Sequence, residues 1–302
     1  MTSRNHYFAD LSDLSHMTIV TTTSLTQALH TLGLRPGMGV VVHSSLRSFG
    51  QVEGGAPTVI AALMAVLTDQ GTLLMPTFNH GEPFEEGGAG FFDPRQTRTI
   101  NGAIPDHFWR MPGVHRSLDP THPIAAWGRH AHNYLAEHHR TLTMGPRSPL
   151  GRLHADGGYG LLLGVDYRAN TFHHVVETTL KSPCLGKRCE AYPVQLPEGR
   201  RVLGRTWGWR NARCPFTDPG RYAEIMQQRG LHQQMLIGQA TATFFKLTDC
   251  FNVIAELLQH GTNESPPCTR CPIRPRVVAA TVESDWDDDT QQPRTDSIAW
   301  QY

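Results

Sequence analysis

An apolar run, Gly160–Val165, leads within a few residues into a polar segment of helical periodicity that begins near Asn170. A short apolar run bounded by glycine is typical of a strand buried on both faces of a sheet. The same alternation occurs upstream, where strands are predicted at 37–43 and 71–78 and helices at 24–32 and 58–67. This order predicts an α/β fold with three layers around a central mixed sheet.

The pattern changes after Leu180. Segments 191–196 and 201–209 flank Pro197-Glu198-Gly199, which is turn chemistry and predicts a β-hairpin. Helices are predicted at 221–229 and 249–258. We therefore expect one domain over residues 1–260, with the hairpin and helices forming a subregion at about 185–260. Residues 261–302 are rich in Pro, Thr, Asp and Gln, and we expect them to be a largely disordered tail without a core of their own.

Charge and hydropathy limit the partners of the chain. Its 27 basic and 27 acidic residues cancel, but six acidic residues and one basic residue lie from Glu283 onward, which leaves 26 basic and 21 acidic residues in the body. That excess suits an anionic ligand and is too small to indicate nucleic acid. The first 15 residues lack an apolar core, and no apolar run approaches the roughly 20 residues that span a bilayer. A cytoplasmic protein without a membrane partner is expected.

The segment Asn170–Glu177 carries the first candidate site. If Asn170 caps the helix, Thr171, His174 and Glu177 lie on one face, because positions three and four apart are neighbours. A neutral imidazole held by a carboxylate is what a general base requires, and a hydroxyl one turn earlier can donate to a developing oxyanion. The alternative is a histidine with a purely structural role.

Two further segments are candidates for binding a phosphate-bearing ligand. His43–Gly55 joins a strand to a helix, and its hydroxyls and Gly-Gly pair can bring backbone N–H groups close to phosphate. Arg116–Pro123 precedes another strand, and there Arg116 could hold a phosphate while His122 lines a cleft. An ordinary glycine-rich turn and a locally paired arginine are the alternatives.

The six cysteines are too few in a chain of this length for a disulfide scaffold. Cys268 and Cys271 form a C-x-x-C pair, which supplies half of a structural zinc site. The remaining cysteines are irregularly spaced, so we expect surface thiols.

In these ordered motifs, from about Ser24 to Leu258, the chain resembles the aminoglycoside 3-N-acetyltransferase family. The segments that carry the resemblance are H-S-S-L-x-S-F-G-x-V-x-G-G at 43–55, G-T-L-L-M-P-T at 71–77, R-S-x-x-P-T-H-P at 116–123, G-P-x-S-P-L at 145–150 and L-L-L-G-V…N-T-x-x-H-x-x-E at 161–177. Leu118-Asp119 and Pro123 depart from the usual family pattern, and the C-x-x-C pair lies outside it.

The resemblance implies an acetyl-CoA-dependent enzyme that acetylates an amine by direct transfer. His174 matches the catalytic base, Glu177 its partner carboxylate, and Thr171 a hydroxyl position. The residues expected along coenzyme A are Ser44, Ser45, Leu46, Val52, Gly54, Gly55, Arg116 and Ser117.

The resemblance also implies an aminoglycoside-type substrate, which is a polycation and should meet carboxylates. The expected substrate-binding residues are Glu82 and Asp93 in the acidic loop, together with His122. Another natural-product amine is the alternative substrate, and we expect a monomer or a homodimer. Two rival functions stay open: a metal-dependent hydrolase using His173, Glu177, His115 and His122, and a binding protein without catalysis.

Overall fold

The computed structural model describes residues 19–185, 190–196, 198–206 and 210–275. Within these ranges, every helix is too short or too polar to cross a bilayer. The expected cytoplasmic location stays a prediction.

A seven-stranded mixed sheet forms the centre of the part of the chain that the structure describes. Its strands are β1 (Gly39–Ser44), β2 (Thr72–Pro76), β3 (His115–Arg116), β4 (Ile124–Gly128), β5 (Tyr159–Leu163), β8 (His232–Ile237) and β9 (Ala240–Lys246). They lie in the order β3-β4-β2-β1-β5-β9-β8. The central strand β1 is parallel to β2 and β5, whereas β4 and β9 run antiparallel to their neighbours. The predicted central mixed sheet is confirmed.

Helices cover both faces of this sheet. They are α1 (Thr22–Leu32), α2 (Ala56–Leu67), α3 (Ala103–Phe108), α4 (Ala131–Leu135), α5 (Pro149–Ala155), α6 (His173–Thr179), α7 (Tyr222–Gln228) and α8 (Leu247–His260). Alternate residues of β1 point to opposite faces, so Val40 and Val42 pack with α1, α2 and α3, while Val41 packs with α4 to α8. These two hydrophobic cores give the predicted three layers.

The predicted hairpin is also present, as a separate two-stranded antiparallel sheet of β6 (Glu190–Gln195) and β7 (Arg201–Thr206). It lies against the loop that follows β2: the backbone N–H of Phe92 donates to the carbonyl of Pro193, and the N–H of Gln195 donates to that of Phe92. The acidic loop and the hairpin therefore form one continuous wall.

The structure differs from the sequence expectations at three elements. Strands β8 and β9, joined at Gly238-Gln239, were not predicted; β8 is an edge strand whose side chains are mostly exposed, so its hydrophobic alternation is weak. Helix α6 begins at His173, and the residue before it is Phe172, not Asn170. The side-chain oxygen of Asn170 accepts the backbone N–H of Phe172, and its amide N–H donates to the hydroxyl of Tyr222.

After α8 the chain stays packed against the rest of the domain further along the sequence than predicted. Cys271 is buried, and Cys268 and Ile273 contact the core cluster of α6, α7 and α8. Asn211 and Arg274 exchange hydrogen bonds through their backbone and side-chain groups. The ordered body thus extends at least to Pro275; the rest of the predicted acidic tail lies outside the described residues, and the domain boundary stays a prediction.

Candidate active site

The side chains of His174 and Glu177 meet on α6, one turn apart. His174 Nδ1 lies 2.8 Å from Glu177 Oε2, and both residues are buried, with Glu177 fully inaccessible to solvent. An ionised carboxylate only accepts hydrogen bonds, so Nδ1 is the donor. In the neutral ring, Nε2 then carries the lone pair that a general base uses.

Two residues from the segment after β7 complete the surroundings of Glu177. Arg210 Nη2 donates to Oε2 at 2.5 Å, and the Thr217 hydroxyl donates to Oε1 at 2.6 Å. Burial alone raises the pKa of Glu177, but the hydrogen bond and charge of His174 and the charge of Arg210 outweigh it and hold the pKa well below its usual range. Glu177 is therefore a carboxylate at neutral pH.

Arg210 changes the charge balance of the site. Burial lowers the pKa of its guanidinium, but the charge of Glu177 outweighs this and raises it, so Arg210 stays a cation. Because the guanidinium already balances Glu177, the imidazole of His174 need not be protonated to neutralise the carboxylate. Sequence reasoning missed Arg210 and Thr217, which lie 33 and 40 residues beyond Glu177 with no local motif to mark them.

Thr171 is held by a second histidine. His43 Nε2, at the end of β1, lies 2.9 Å from the Thr171 hydroxyl and accepts the Thr171 backbone N–H at 3.2 Å. Burial lowers the pKa of His43 to about 4, so its ring is neutral at pH 7. Since Nε2 accepts, the Thr171 hydroxyl donates its hydrogen bond to His43. The sequence had instead predicted that this hydroxyl donates to an oxyanion. His43 is the first residue of the H-S-S-L motif but was not predicted to have a role.

His122 lies in the loop before β4, and its expected role in the same site stays a prediction. Its ring packs on Phe78 and His80, with centroid distances of 4.8 Å and 4.9 Å. Burial lowers its pKa well below the usual range, and the charges of His80 and His174 act in the same direction. Asp119 positions this loop, because Oδ1 accepts the backbone N–H of His122 at 2.7 Å. The departure from the family pattern at Asp119 therefore has a structural role.

A cleft of about 860 Å³ opens beside Thr171 at the carboxyl end of β1. The sequence-predicted residues among its lining are Ser44, Ser45, Leu46, Val52, Gly55 and Thr171. Gly55 precedes α2 with φ of 67°, and an added Cβ there would meet no atom within 4 Å. The first N–H groups of α2 and their dipole favour an anion at this place. Gly54 is exposed next to this lining.

Arg116 and Ser117 lie away from this cleft, contrary to expectation. The Arg116 guanidinium donates to the Thr77 hydroxyl, the Thr77 carbonyl and the Thr97 carbonyl, and burial lowers its pKa to about 9. Ser117 is buried, bonded to the His138 ring at 2.8 Å. Both line a separate groove of about 820 Å³. Arg116 therefore braces the loop after β2, and its donors are not aimed at a phosphate in the cleft.

The two predicted carboxylates of the acidic loop differ in environment. Glu82 is exposed at the start of a short 3-10 turn, Glu82–Phe84, where a cationic ligand could reach it. Asp93 is buried, and its Oδ1 accepts the backbone N–H of Arg95 at 2.8 Å, so it holds the loop together.

The residues of the rival hydrolase do not come together. His115 lies on the surface and stacks on His132 at a centroid distance of 4.0 Å. His173, His174 and Glu177 do have possible ligand atoms within 4.8 Å of one another. However, Glu177 already accepts hydrogen bonds from Arg210 and Thr217, and the guanidinium repels a metal ion. This arrangement favours a hydrogen-bonded base over a metal centre.

The chain is similar to known proteins of one family. A family model described as aminoglycoside 3-N-acetyltransferase matches residues 41–259. The SPbeta prophage-derived aminoglycoside N(3')-acetyltransferase-like protein YokD of Bacillus subtilis (strain 168) is 32% identical over 250 residues, which cover 76% of this chain and 89% of the relative. The structure of AAC-IIIb with CoASH superposes with a TM-score of 0.71 at 25% identity, covering 83% of this chain and all of the other. That of AAC-VIa bound to sisomicin gives 0.70 at 27% identity, covering 82% and 100%.

Proposed function

The chain belongs to the aminoglycoside 3-N-acetyltransferase family, and on this premise we propose that it acetylates an amine of an aminoglycoside-type antibiotic with His174 as general base. The observation that carries the proposal is the 2.8 Å contact between His174 Nδ1 and Glu177 Oε2, within a buried network that leaves the carboxylate charge balanced by Arg210. This arrangement supports an imidazole whose orientation and tautomer are set by its carboxylate partner.

Acetyl-CoA is the acetyl donor, and the cleft beside Thr171 is the place that we propose for it. AAC-IIIb, which is similar over most of this chain, binds CoASH. The cleft volume of about 860 Å³ suits an elongated ligand, and the glycine at the start of α2 allows close approach of phosphate to backbone N–H groups. The residues proposed to line the coenzyme are Ser44, Ser45, Leu46, Val52 and Gly55.

Acetyl-CoA supplies an acetyl group activated as a thioester. His174 Nε2 takes the proton that the amine loses as its nitrogen bonds to the acetyl carbon. Glu177 stabilises the imidazolium through Nδ1–H, and Arg210 keeps Glu177 ionised throughout. His174 then returns the proton to the sulfur that departs when the C–S bond breaks. General-base assistance of this kind contributes about 10²–10⁴-fold in rate.

Thr171 has a positioning role in this proposal. Both its N–H and its hydroxyl are directed at His43, so the two residues fix the backbone that enters α6. This places the start of α6 against the end of β1, where Ser44 begins the cleft wall. The donor cleft and the base are thereby held at a constant separation.

The amine substrate is proposed to approach from the wall formed by the acidic loop and the hairpin. AAC-VIa, another family member of similar fold, binds sisomicin. In this chain, Glu82, Glu85 and Glu86 are exposed on that loop and can attract a polycation. His122, which packs on Phe78 and His80 near His174, is the proposed contact closest to the reacting amine.

The test follows free thiol release from acetyl-CoA with a panel of aminoglycosides and, in parallel, simpler amines. We expect release that depends on an aminoglycoside and a product carrying one added acetyl group on nitrogen, located by NMR. Thiol release without any amine would reveal hydrolysis and contradict the proposal. Transfer only to a different class of amine would retain the reaction and replace the substrate.

A further inference from the structure

Four cysteines from three separate parts of the chain surround one small void behind the catalytic helix. Cys184 follows α6, Cys214 follows β7, and Cys268 and Cys271 lie beyond α8. The void measures about 10 Å³, and Glu177 and Arg210 also line it. The C-x-x-C pair is thus not a pair of surface thiols as expected: Cys271 is buried and Cys268 is partly buried.

Among these four thiols, Cys184 and Cys268 both line the void and shift the pKa of each other, so their side chains are neighbours. Each lies in a short 3-10 turn, Pro183–Leu185 and Cys268–Arg270. Only Cys268 has appreciable access to solvent, since Cys184 is 5% exposed. Cys184 therefore holds the buried sulfur of the pair, and Cys268 holds the solvent-accessible one.

We propose that Cys184 and Cys268 are a redox-active pair that closes to a disulfide when it meets a small-molecule disulfide oxidant. The pair joins the turn after the catalytic helix to a segment that lies beyond residue 259, where the match to the family ends. This modification site goes beyond the acetyl transfer proposed above and does not depend on it.

The chemistry balances through two thiol–disulfide exchanges. The Cys268 thiolate attacks one sulfur of oxidised glutathione, which breaks the S–S bond and releases one glutathione thiolate. Cys184 then loses its proton and attacks Cys268 Sγ in the mixed disulfide, which releases the second glutathione. Two protein thiols are oxidised and one oxidised glutathione is reduced to two thiols.

The local electrostatics favour this order of attack. The interaction with the neighbouring Cys184 thiol lowers the pKa of Cys268 to about 6, against the opposing effect of burial. The same contact and burial raise the pKa of Cys184. The accessible sulfur is therefore the thiolate and the buried sulfur resolves the mixed disulfide.

The disulfide would restrain the segment 261–275 that covers Glu177 and Arg210. Residues 210 and 275 form an isolated antiparallel bridge, so the end of this segment is paired with the backbone of Arg210. Cross-linking a loop of more than 80 residues restricts the unfolded chain, and we expect the melting temperature of the oxidised protein to exceed that of the reduced protein by several degrees.

The experiment equilibrates the full chain with oxidised or reduced glutathione, blocks free thiols and digests with trypsin. The expected linked species joins peptide 182–187, which holds Cys184, to peptide 247–270, which holds Cys250 and Cys268. Cys184→Ser and Cys268→Ser should each abolish that species and the rise in melting temperature. Loss of the link in Cys268→Ser also distinguishes Cys268 from Cys250.

Cys271→Ser is the matched control, because Cys271 lies beside the same turn as Cys268 and is about as buried as Cys184, but its replacement is expected to leave the link intact. Linkage of peptide 247–270 to the peptides that begin at residues 189, 214 or 271 would overturn the proposal. So would free thiols at both positions after oxidation. Stoichiometric zinc in the purified protein, lost in Cys268→Ser, would identify a metal site in its place.

Discussion

Arg210 and His174 donate hydrogen bonds to the same oxygen of Glu177, at 2.5 Å and 2.8 Å. The carboxylate therefore accepts hydrogen bonds from two groups that are or can become cations, and only Arg210 is permanently charged. The other oxygen accepts from Thr217, so three donors bind the buried carboxylate. Arg210 therefore balances the charge of Glu177 whatever the protonation state of His174.

Replacing His174 by Ala should lower kcat by about 10²–10⁴-fold, because the proton acceptor is lost. The dissociation constant of coenzyme A, measured by calorimetry, should stay nearly unchanged. His173→Asn is the matched control: this adjacent buried residue is not assigned a proton-transfer role, so its kcat should fall far less. Equal losses in the two variants would contradict His174 as the base.

Arg210→Met should destabilise the protein by about 3–5 kcal/mol, since one partner of a buried ion pair is removed. In the variant, Glu177 has only the imidazole to balance its charge, so the protonated ring is favoured. We expect the acidic limb of the pH–rate profile to move to higher pH. Arg210→Lys keeps the charge and should restore the position of the limb in part, even where its stability is reduced. An acidic limb at the wild-type pH in Arg210→Met would refute the role of Arg210 in balancing the charge of Glu177.

Buried neutral histidines predict acid sensitivity with a defined sign. The pKa of His43 is lowered from 6.5 to about 4 in the folded protein, so the unfolded chain binds the extra proton first as pH falls. The stability that His43 contributes is complete above about pH 6.5 and is lost progressively down to pH 4, by up to about 3 kcal/mol. His43→Asn should flatten this part of the curve.

The measurement is urea unfolding of wild type and His43→Asn at pH values between 4 and 7.5. Glu177 acts in a lower window, because its pKa is depressed and its contribution is lost as pH falls from its ordinary pKa of 4.5 toward the lowered pKa. The buried rings of His122 and His173, whose pKa values are also lowered, remain in both proteins. An unchanged slope in the variant would mean that His43 is not the titrating group.

Gly55→Ala should raise the KM for acetyl-CoA several-fold with a smaller effect on kcat, because the methyl group projects into the proposed donor cleft. Gly37→Ala is matched to it: both positions have positive φ, 67° and 83°, and neither Cβ would meet an atom within 4 Å. Both variants should lose about 1 kcal/mol of stability from backbone strain. An equal KM in the two would place the coenzyme elsewhere.

The order of strands and helices and the pairing of His174 with Glu177 were predictable from the sequence, because they depend on local periodicity and on residues one helical turn apart. The H-S-S-L segment was likewise predicted to bind a ligand, and its residues line the cleft. A strand followed by glycines and a helix has few ways to fold, so its position was predictable. Edge strand β8 was missed because its exposed side chains give little hydrophobic alternation.

Tertiary structure decided what the same residues contact. Arg116 has the residue type and flanking motif of a phosphate ligand, but the loop after β2 supplies carbonyl groups that take its donors. Arg210, Thr217 and the thiols of Cys184 and Cys268 meet near Glu177 only because the segments after β7 and α8 fold back on α6. Local sequence thus determined the elements and the pairing of His174 with Glu177, whereas the charge balance of that carboxylate arose from long-range packing, which no spacing along the chain encodes.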